Sequence, residues 1–264
     1  MKFSRTILSI ASSLLAFSSC NKEGIDFHAD PLITQSSLLA NTAIAENYVM
    51  IFVSQTLNIF NHDSSFRIQA SAHFRKHGRP ADTGPIIVDG RLITADSTND
   101  YFYDYIQSNT ISEGRSLPGR DIRVIATGPA ANQTGATTAT VPVPKEFYPT
   151  TANYPRSFVN RGDPLKLYWT ADPKNKSKKI SIDIEYYRGL SQGYISTLPD
   201  NIQPLSLKVE DNGSFTIPMA DLKRFPKGSY VGITFTRVNY VNTAGGYGLL
   251  AYVEARTVPL LVTE

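Results

Sequence analysis

The sequence predicts a mainly β fold arranged as two domains. Three observations carry that prediction. Apolar and polar residues alternate in short runs, as in Phe66, Ile68, Ala70, Ala72 and Phe74 against Arg67, Gln69, Ser71, His73 and Arg75; a period of two buries one face of a strand and wets the other. Turn-forming residues punctuate the runs, among them Asp89-Gly90, Asp211-Asn212-Gly213 and Lys227-Gly228. Midway, residues 128–157 are rich in Gly, Pro, Thr and Ala and include Val141-Pro142-Val143-Pro144. Prolines so closely spaced do not fit a central strand, because proline has no N–H to give the ladder.

The first element is a leader. Lys2 and Arg5 precede the uncharged, mostly apolar run from Thr6 to Phe17, and small Ser18 and Ser19 end it. That is the layout of a signal peptide over residues 1–19, and the run falls short of the roughly 20 residues needed to span a bilayer core. The chain's single cysteine, Cys20, follows at the expected cut. Removing the leader takes away Lys2 and Arg5, so the formal net charge of +3 falls to +1 and 245 of the 264 residues remain. Such a small net charge provides no broad field for steering nucleic acid. With Cys20 committed to the terminus no disulfide is available, so stability must come from ordinary cores.

Residues 20–35 are polar and read as a tether. Over Ser36–Phe60 the residues Leu39, Thr42, Ala45, Val49, Phe52, Thr56 and Ile59 recur at three or four, which predicts one face of a helix, although Tyr48–Val53 also suits a strand. The alternating run at 66–74 follows. Pro85–Val88 and Arg91–Thr94 form a hairpin across Asp89-Gly90, a dipeptide suited to turns needing positive φ at both central positions. Tyr101–Ile106 and Asp121–Thr127 are further strands, the latter with Ile122, Val124 and Ala126 inward. These elements make an N-terminal β-rich domain at 36–129, joined by a linker at 130–157 to a second domain at 158–264.

In that second domain Leu165, Leu167 and Trp169 alternate with polar neighbours, as do Ile180, Ile182, Ile184 and Tyr186. Strands also fit Leu205–Val209, Ser214–Ile217, Tyr230–Val238 and Leu249–Val258. About seven short strands with such turns predict an immunoglobulin-like β-sandwich, with Trp169 as its large core side chain.

Ala16-Phe17-Ser18-Ser19-Cys20 resembles the lipobox of bacterial lipoproteins, with Phe17 where Leu or Val is usual. The resemblance implies a diacylated Cys20 and a chain anchored in the cell envelope at the outer membrane, since more than one acyl chain is needed for stable anchoring. The wider layout resembles uncharacterised Bacteroidetes envelope lipoproteins. That likeness rests on the lipobox, Gly84-Pro85-Ile86-Ile87-Val88-Asp89-Gly90, Leu167-Tyr168-Trp169 and Asp211-Asn212-Gly213-Ser214-Phe215-Thr216-Ile217. It implies no particular activity. Asp96-Ser97-Thr98 resembles the short O-glycosylation signal of the same envelope proteins.

Catalytic signatures are missing from the sequence: there is no G-x-S-x-G elbow, Walker loop, H-E-x-x-H or dinucleotide fingerprint. Thr243-Ala244-Gly245-Gly246-Tyr247-Gly248 reads as a turn between strands. The histidines, His28, His62, His73 and His77, show no spacing that would converge three ligands on a metal, and no cofactor is implied. Lys174, Lys176, Lys178 and Lys179 form a solvated hairpin or loop, with a local contact to anionic lipid or polysaccharide as the functional alternative.

The 14 tyrosines, against 13 phenylalanines and one tryptophan, are the most suggestive feature. Tyrosine is amphipathic and loses little rotamer freedom, which suits it to interfaces and sugar faces. Tyr101, Tyr103 and Tyr105 on one strand, and Tyr240 and Tyr247 beside the last hairpin, are therefore the candidate ligand-binding residues. The functional expectation is a lipid-anchored, non-catalytic binding module for a glycan or an envelope protein. The alternatives are a structural or adhesin/fimbrial-type assembly component and a carbohydrate-active hydrolase.

Overall fold

The computed structural model describes residues 47–57, 64–76, 79–80, 85–93, 102–106, 117–126, 136–147, 158–187, 202–257 and 259–264. Within them the strands are β1 (Tyr48–Leu57), β2 (Ser64–His73), β3 (Arg75–Lys76), β4 (Arg79–Pro80), β5 (Ile86–Val88), β6 (Arg91–Ile93), β7 (Phe102–Ile106), β8 (Asp121–Ala126) and β9 (Thr137–Pro142). They continue with β10 (Phe158–Asn160), β11 (Leu165–Tyr168), β12 (Lys179–Tyr186), β13 (Leu205–Glu210), β14 (Ser214–Ile217), β15 (Tyr230–Asn242), β16 (Gly248–Thr257) and β17 (Leu260–Thr263). One helical turn, α1 (Met219–Leu222), lies between β14 and β15. The fold is mainly β, as the alternation predicts. Cys20 and Asp96-Ser97-Thr98 lie outside the described residues.

A nine-stranded sheet dominates. Its strands run in the order β10-β17-β15-β16-β1-β2-β7, and β12, carrying β13, pairs with β15. Three small sheets accompany it: β11-β14, β3-β4 and β6-β5-β8-β9. One hydrophobic core joins the large sheet to the β11-β14 and β6-β5-β8-β9 sheets, running from Val49, Ile51 and Val53 through Ile86, Ile122 and Val141 to Trp169, Ile182, Phe235 and Val253.

The region expected to be helical is strand where it is described. Val49, Ile51, Val53 and Gln55 of β1 are at most 1 % exposed and share one face, while Tyr48, Met50 and Phe52 pack into a second cluster. Apolar residues on both faces erase the two-residue alternation, so the helical spacing was satisfied by coincidence. β1 runs parallel to β16, Tyr48 opposite Gly248 through Leu57 opposite Thr257, and antiparallel to β2. The ranges 36–129 and 158–264, expected as separate domains, thus share a sheet and a core. The expected linker is also structured in part: Thr137–Pro142 is β9, pairing with β8, despite Pro142 at its end.

Local predictions hold where local chemistry decides. Asp89 and Gly90 have φ of 49° and 80°, the positive values of the primed turn joining β5 to β6. Gly213, at φ 97°, makes the β13–β14 turn, and a Cβ there would lie 3.1 Å from the Trp169 carbonyl oxygen.

Candidate functional site

Strand register sorts the side chains of the large sheet onto two faces. One belongs to the main core. On the other, residues that stand directly opposite across β15, β16 and β1 are Tyr240, Leu250 and Met50; Val238, Tyr252 and Phe52; then Thr236, Glu254 and Ser54. The first two rows form a separate apolar cluster. Val238, Leu250 and Tyr252 are buried at its centre, and half-buried Tyr48, Met50, Phe52 and Tyr240 pack around them. The Phe52 and Tyr252 rings stack at 4.5 Å with a 27° interplanar angle. Tyr240 lies over Gly248, where a Cβ would come within 2.6 Å of the ring, and its hydroxyl donates to Asn242 Oδ1 at 2.5 Å. Glycine at 248 leaves the space that the ring fills.

The same face turns polar further along the strands. Arg256 donates from Nε to Thr234 Oγ1 at 3.1 Å, and its Nη2 lies 3.8 Å from carboxylate oxygens of both Glu185 and Glu254. Ser181 donates its hydroxyl to Asp183 Oδ2 at 2.8 Å. Burial, reinforced by Glu185 and Asp183, raises the Glu254 pKa above the usual carboxylate value against the opposing pull of Arg256. Tyr187 covers Gly232, and burial raises its phenol pKa, with Arg256 opposing. Thr236 is 1 % exposed and its hydroxyl finds no partner among the described residues. An aromatic, partly exposed patch therefore borders the partly exposed carboxylates of Glu185 and Glu254 and the Arg256 guanidinium, an arrangement that can meet a ligand with both apolar and hydroxylated surfaces.

The sequence candidates fall unevenly on this face. Tyr240 belongs to it. Tyr103 and Tyr105 occupy β7 opposite Ser71 and Gln69 of β2, register positions that continue the rows of Met50 and Phe52. Tyr101 lies outside the described residues. Tyr247 does not join the face: it is 1 % exposed, packs edge-on against Phe74 at 5.7 Å and accepts a 3.3 Å hydrogen bond from Thr137 Oγ1. The glycine-rich turn folds that ring inward, as Thr243 N–H bonds the Tyr247 carbonyl at 2.9 Å. Sequence reasoning missed Phe52, Glu254 and Arg256, and Tyr252 stands out there only as one of several tyrosines of the second half; the alternation of Leu250, Tyr252, Glu254 and Arg256 along β16 was the available signal.

The core face carries a second polar assembly. Arg237 is fully buried. Its Nε and Nη2 each donate to Asp211 at 2.8 Å, Nη1 donates to the carbonyls of Lys145 and Glu146 at 2.9 and 3.2 Å, and Nη2 also donates to the Thr170 carbonyl. The Phe147 ring centroid lies 4.1 Å from the guanidinium carbon. Asp211 accepts two more bonds, from Trp169 Nε1 and Asn175 Nδ2, each at 2.9 Å. Burial pushes the Asp211 pKa up, but Arg237, Asn175 and Trp169 together outweigh it and hold the carboxyl below its usual value. All five guanidinium N–H groups are satisfied, so this assembly fastens residues 145–147 and the β11–β12 loop to β15 and has no donor left for a ligand. Among the described residues no group of three or more His, Cys, Asp or Glu is placed to hold a metal ion.

No family model and no curated protein matches the chain. Among solved structures it is similar, over 84% of its length and 69% of the other chain, to the chicken CNTN1 FN1–FN3 domains, at 10% identity and a TM-score of 0.25. It is also similar, over 83% of its length and 66% of the other chain, to a structure concerned with host cell surface retention of a 1.5-MDa bacterial ice-binding adhesin, at 14% identity and a TM-score of 0.21. Overlaps this loose carry no functional conclusion.

Proposed function

We propose that this protein is a non-catalytic binding module of the cell envelope, which takes a glycan or envelope protein on the outer face of its large sheet. The observation that carries the reading is the half-buried ring of Tyr48, Met50, Phe52 and Tyr240, set apart from the main core and bordered by the Glu254–Arg256 row. Aromatic faces desolvate apolar ligand surfaces, and the partly exposed Glu185, Glu254 and Arg256 side chains beside them satisfy ligand hydroxyls. A glycan array and an envelope pull-down with purified protein test it, followed by prolonged incubation of each hit. Retention of intact ligand is the expected result; time-dependent cleavage would replace the module with a hydrolase.

The address rests on Cys20 and its lipobox-like context. Labelled palmitate is expected to enter the protein in the source cells, and Cys20→Ala to release it from the membrane fraction. An unlabelled, soluble wild type overturns the anchoring. For residues 158–264 the immunoglobulin-like reading is supported by strand order: β11 pairs with β14, β12 bridges β13 and β15, β15 pairs with β16 and β17, and β10 runs parallel to β17. A second reading, as a structural or fimbrial-type assembly component, is favoured by β7. This strand ends the large sheet, and among the described strands only β2 pairs with it, leaving an edge for strand addition.

A further inference from the structure

We propose that residues 172–179, the end of the β11–β12 loop together with Lys179 at the start of β12, form a preorganised binding surface for an acidic polysaccharide, separate from the aromatic sheet face. The loop reads Asp-Pro-Lys-Asn-Lys-Ser-Lys-Lys, and Lys174, Lys176, Lys178 and Lys179 are all exposed. Lysine-rich loops are ordinarily loose and solvated. This one is held at nearly every residue.

Asp172, 3 % exposed, accepts the Lys174 backbone N–H at 2.9 Å and the Lys145 N–H at 2.8 Å. Asn175, 2 % exposed, donates both to the Lys179 carbonyl and to Asp211, which ties the loop to the buried Arg237 assembly. The Lys176 N–H donates to Asn239 Oδ1 at 3.0 Å, and the Ser177 hydroxyl bonds the Lys179 carbonyl at 2.8 Å. Two tight turns follow one another, closed by Asn175 N to Asp172 O and Lys178 N to Asn175 O, each at 3.0 Å.

Three consequences point to an anionic ligand. The acids are turned away: Asp172 and Asp211 are consumed by inward bonds, and Glu210 pairs with Lys179 at 3.5 Å, so no described carboxylate forms an ion pair with Lys174, Lys176 or Lys178. Lys178 sits at φ +53°, a left-handed conformation that glycine or asparagine would adopt at lower cost, so a cation is kept where local geometry disfavours it. A rigid backbone also removes part of the ordering entropy that a flexible lysine loop loses on binding. The chemistry is point-charge recognition of carboxylate, phosphate or sulfate by ammonium groups. A polysaccharide chain is the source, in preference to a membrane, because none of the exposed large apolar side chains, Leu92, Phe158 and Met219, belongs to the loop. Without such residues a lipid surface holds lysines by headgroup charge alone, about 1 kcal/mol for each, and adds no apolar burial.

The test is retention of the purified protein on immobilised heparin and polygalacturonate, with dextran as neutral control and phosphatidylglycerol vesicles as the lipid arm. Wild type is expected to bind both acidic polymers, to ignore dextran, and to elute with rising salt. The combined Lys174→Ala, Lys176→Ala and Lys178→Ala variant should bind roughly a hundredfold more weakly, with an unchanged unfolding midpoint because these side chains are exposed. Lys178→Gly should raise the unfolding midpoint and still weaken binding severalfold. Equal retention of the triple variant, or binding to vesicles but not to either polymer, overturns the assignment. Phe52→Ala and Tyr240→Ala should leave this retention intact, which separates its failure from failure of the sheet-face reading.

Discussion

Replacing Arg237 by methionine removes the cation from a site where it is fully buried and its partner Asp211 has a side chain only 2% exposed. The variant leaves the Asp211 carboxylate with two donors, Trp169 and Asn175, and strands the carbonyls of Lys145, Glu146 and Thr170. Breaking one partner of a buried pair costs about 3–5 kcal/mol, or a fall of roughly 10 °C in melting temperature for a chain of this size. Trp169, the chain's single tryptophan, donates to Asp211, so its fluorescence reports this cluster during urea unfolding. The folded pKa of Asp211 is depressed, so its stabilisation is present above the unfolded value of about 3.9 and is lost as pH falls through the lower folded value. Asp211→Asn should lack that acid-linked loss. An Arg237→Met variant within about 1 kcal/mol of wild type would refute the reasoning, because the pair would then not be a structural fastening.

Other perturbations have expected outcomes of their own. Trp169→Ala should cost about 3–5 kcal/mol in urea unfolding by opening a cavity beside Phe235, whose ring centroid lies 6.0 Å away. A 158–264 fragment loses β1 from the long edge of β16 and should associate or unfold on gel filtration and thermal melting; a stable, cooperative monomer would show that the shared sheet is dispensable. Glu254 has a raised folded pKa, so its contribution is present below about pH 4.3 and lost as pH rises through the folded value. Glu254→Gln should therefore melt higher than wild type at neutral pH and lose that advantage in acid.

Legibility in the sequence followed the range of the interaction. β2, β8 and β12 declared themselves by alternation, and the β5–β6 turn by Asp89-Gly90, because those signals depend on neighbours. β1 was misread because both its faces are apolar. Its pairing with β16 could not be read at all, since nothing local to Tyr48 specifies Gly248 as its partner. The candidate face was half legible for a related reason. Tyrosine abundance marked Tyr240 and Tyr247 equally, yet strand parity places Tyr240 on the outer face and the turn folds Tyr247 into the core. Arg237 gave no signal beyond an isolated charge between Thr236 and Val238; its role follows from carbonyls that other segments bring to it.

The most direct test of the binding face is the affinity of one array or pull-down hit for wild type and for Phe52→Ala and Tyr240→Ala, by calorimetry with the ligand recovered and examined afterwards. Loss of a half-buried aromatic contact is expected to weaken binding by about 1–3 kcal/mol for each variant, with melting lowered less at Tyr240 than by Trp169→Ala and the ligand recovered intact. Undiminished affinity in both variants, or cleaved ligand, would contradict a non-catalytic site on this face.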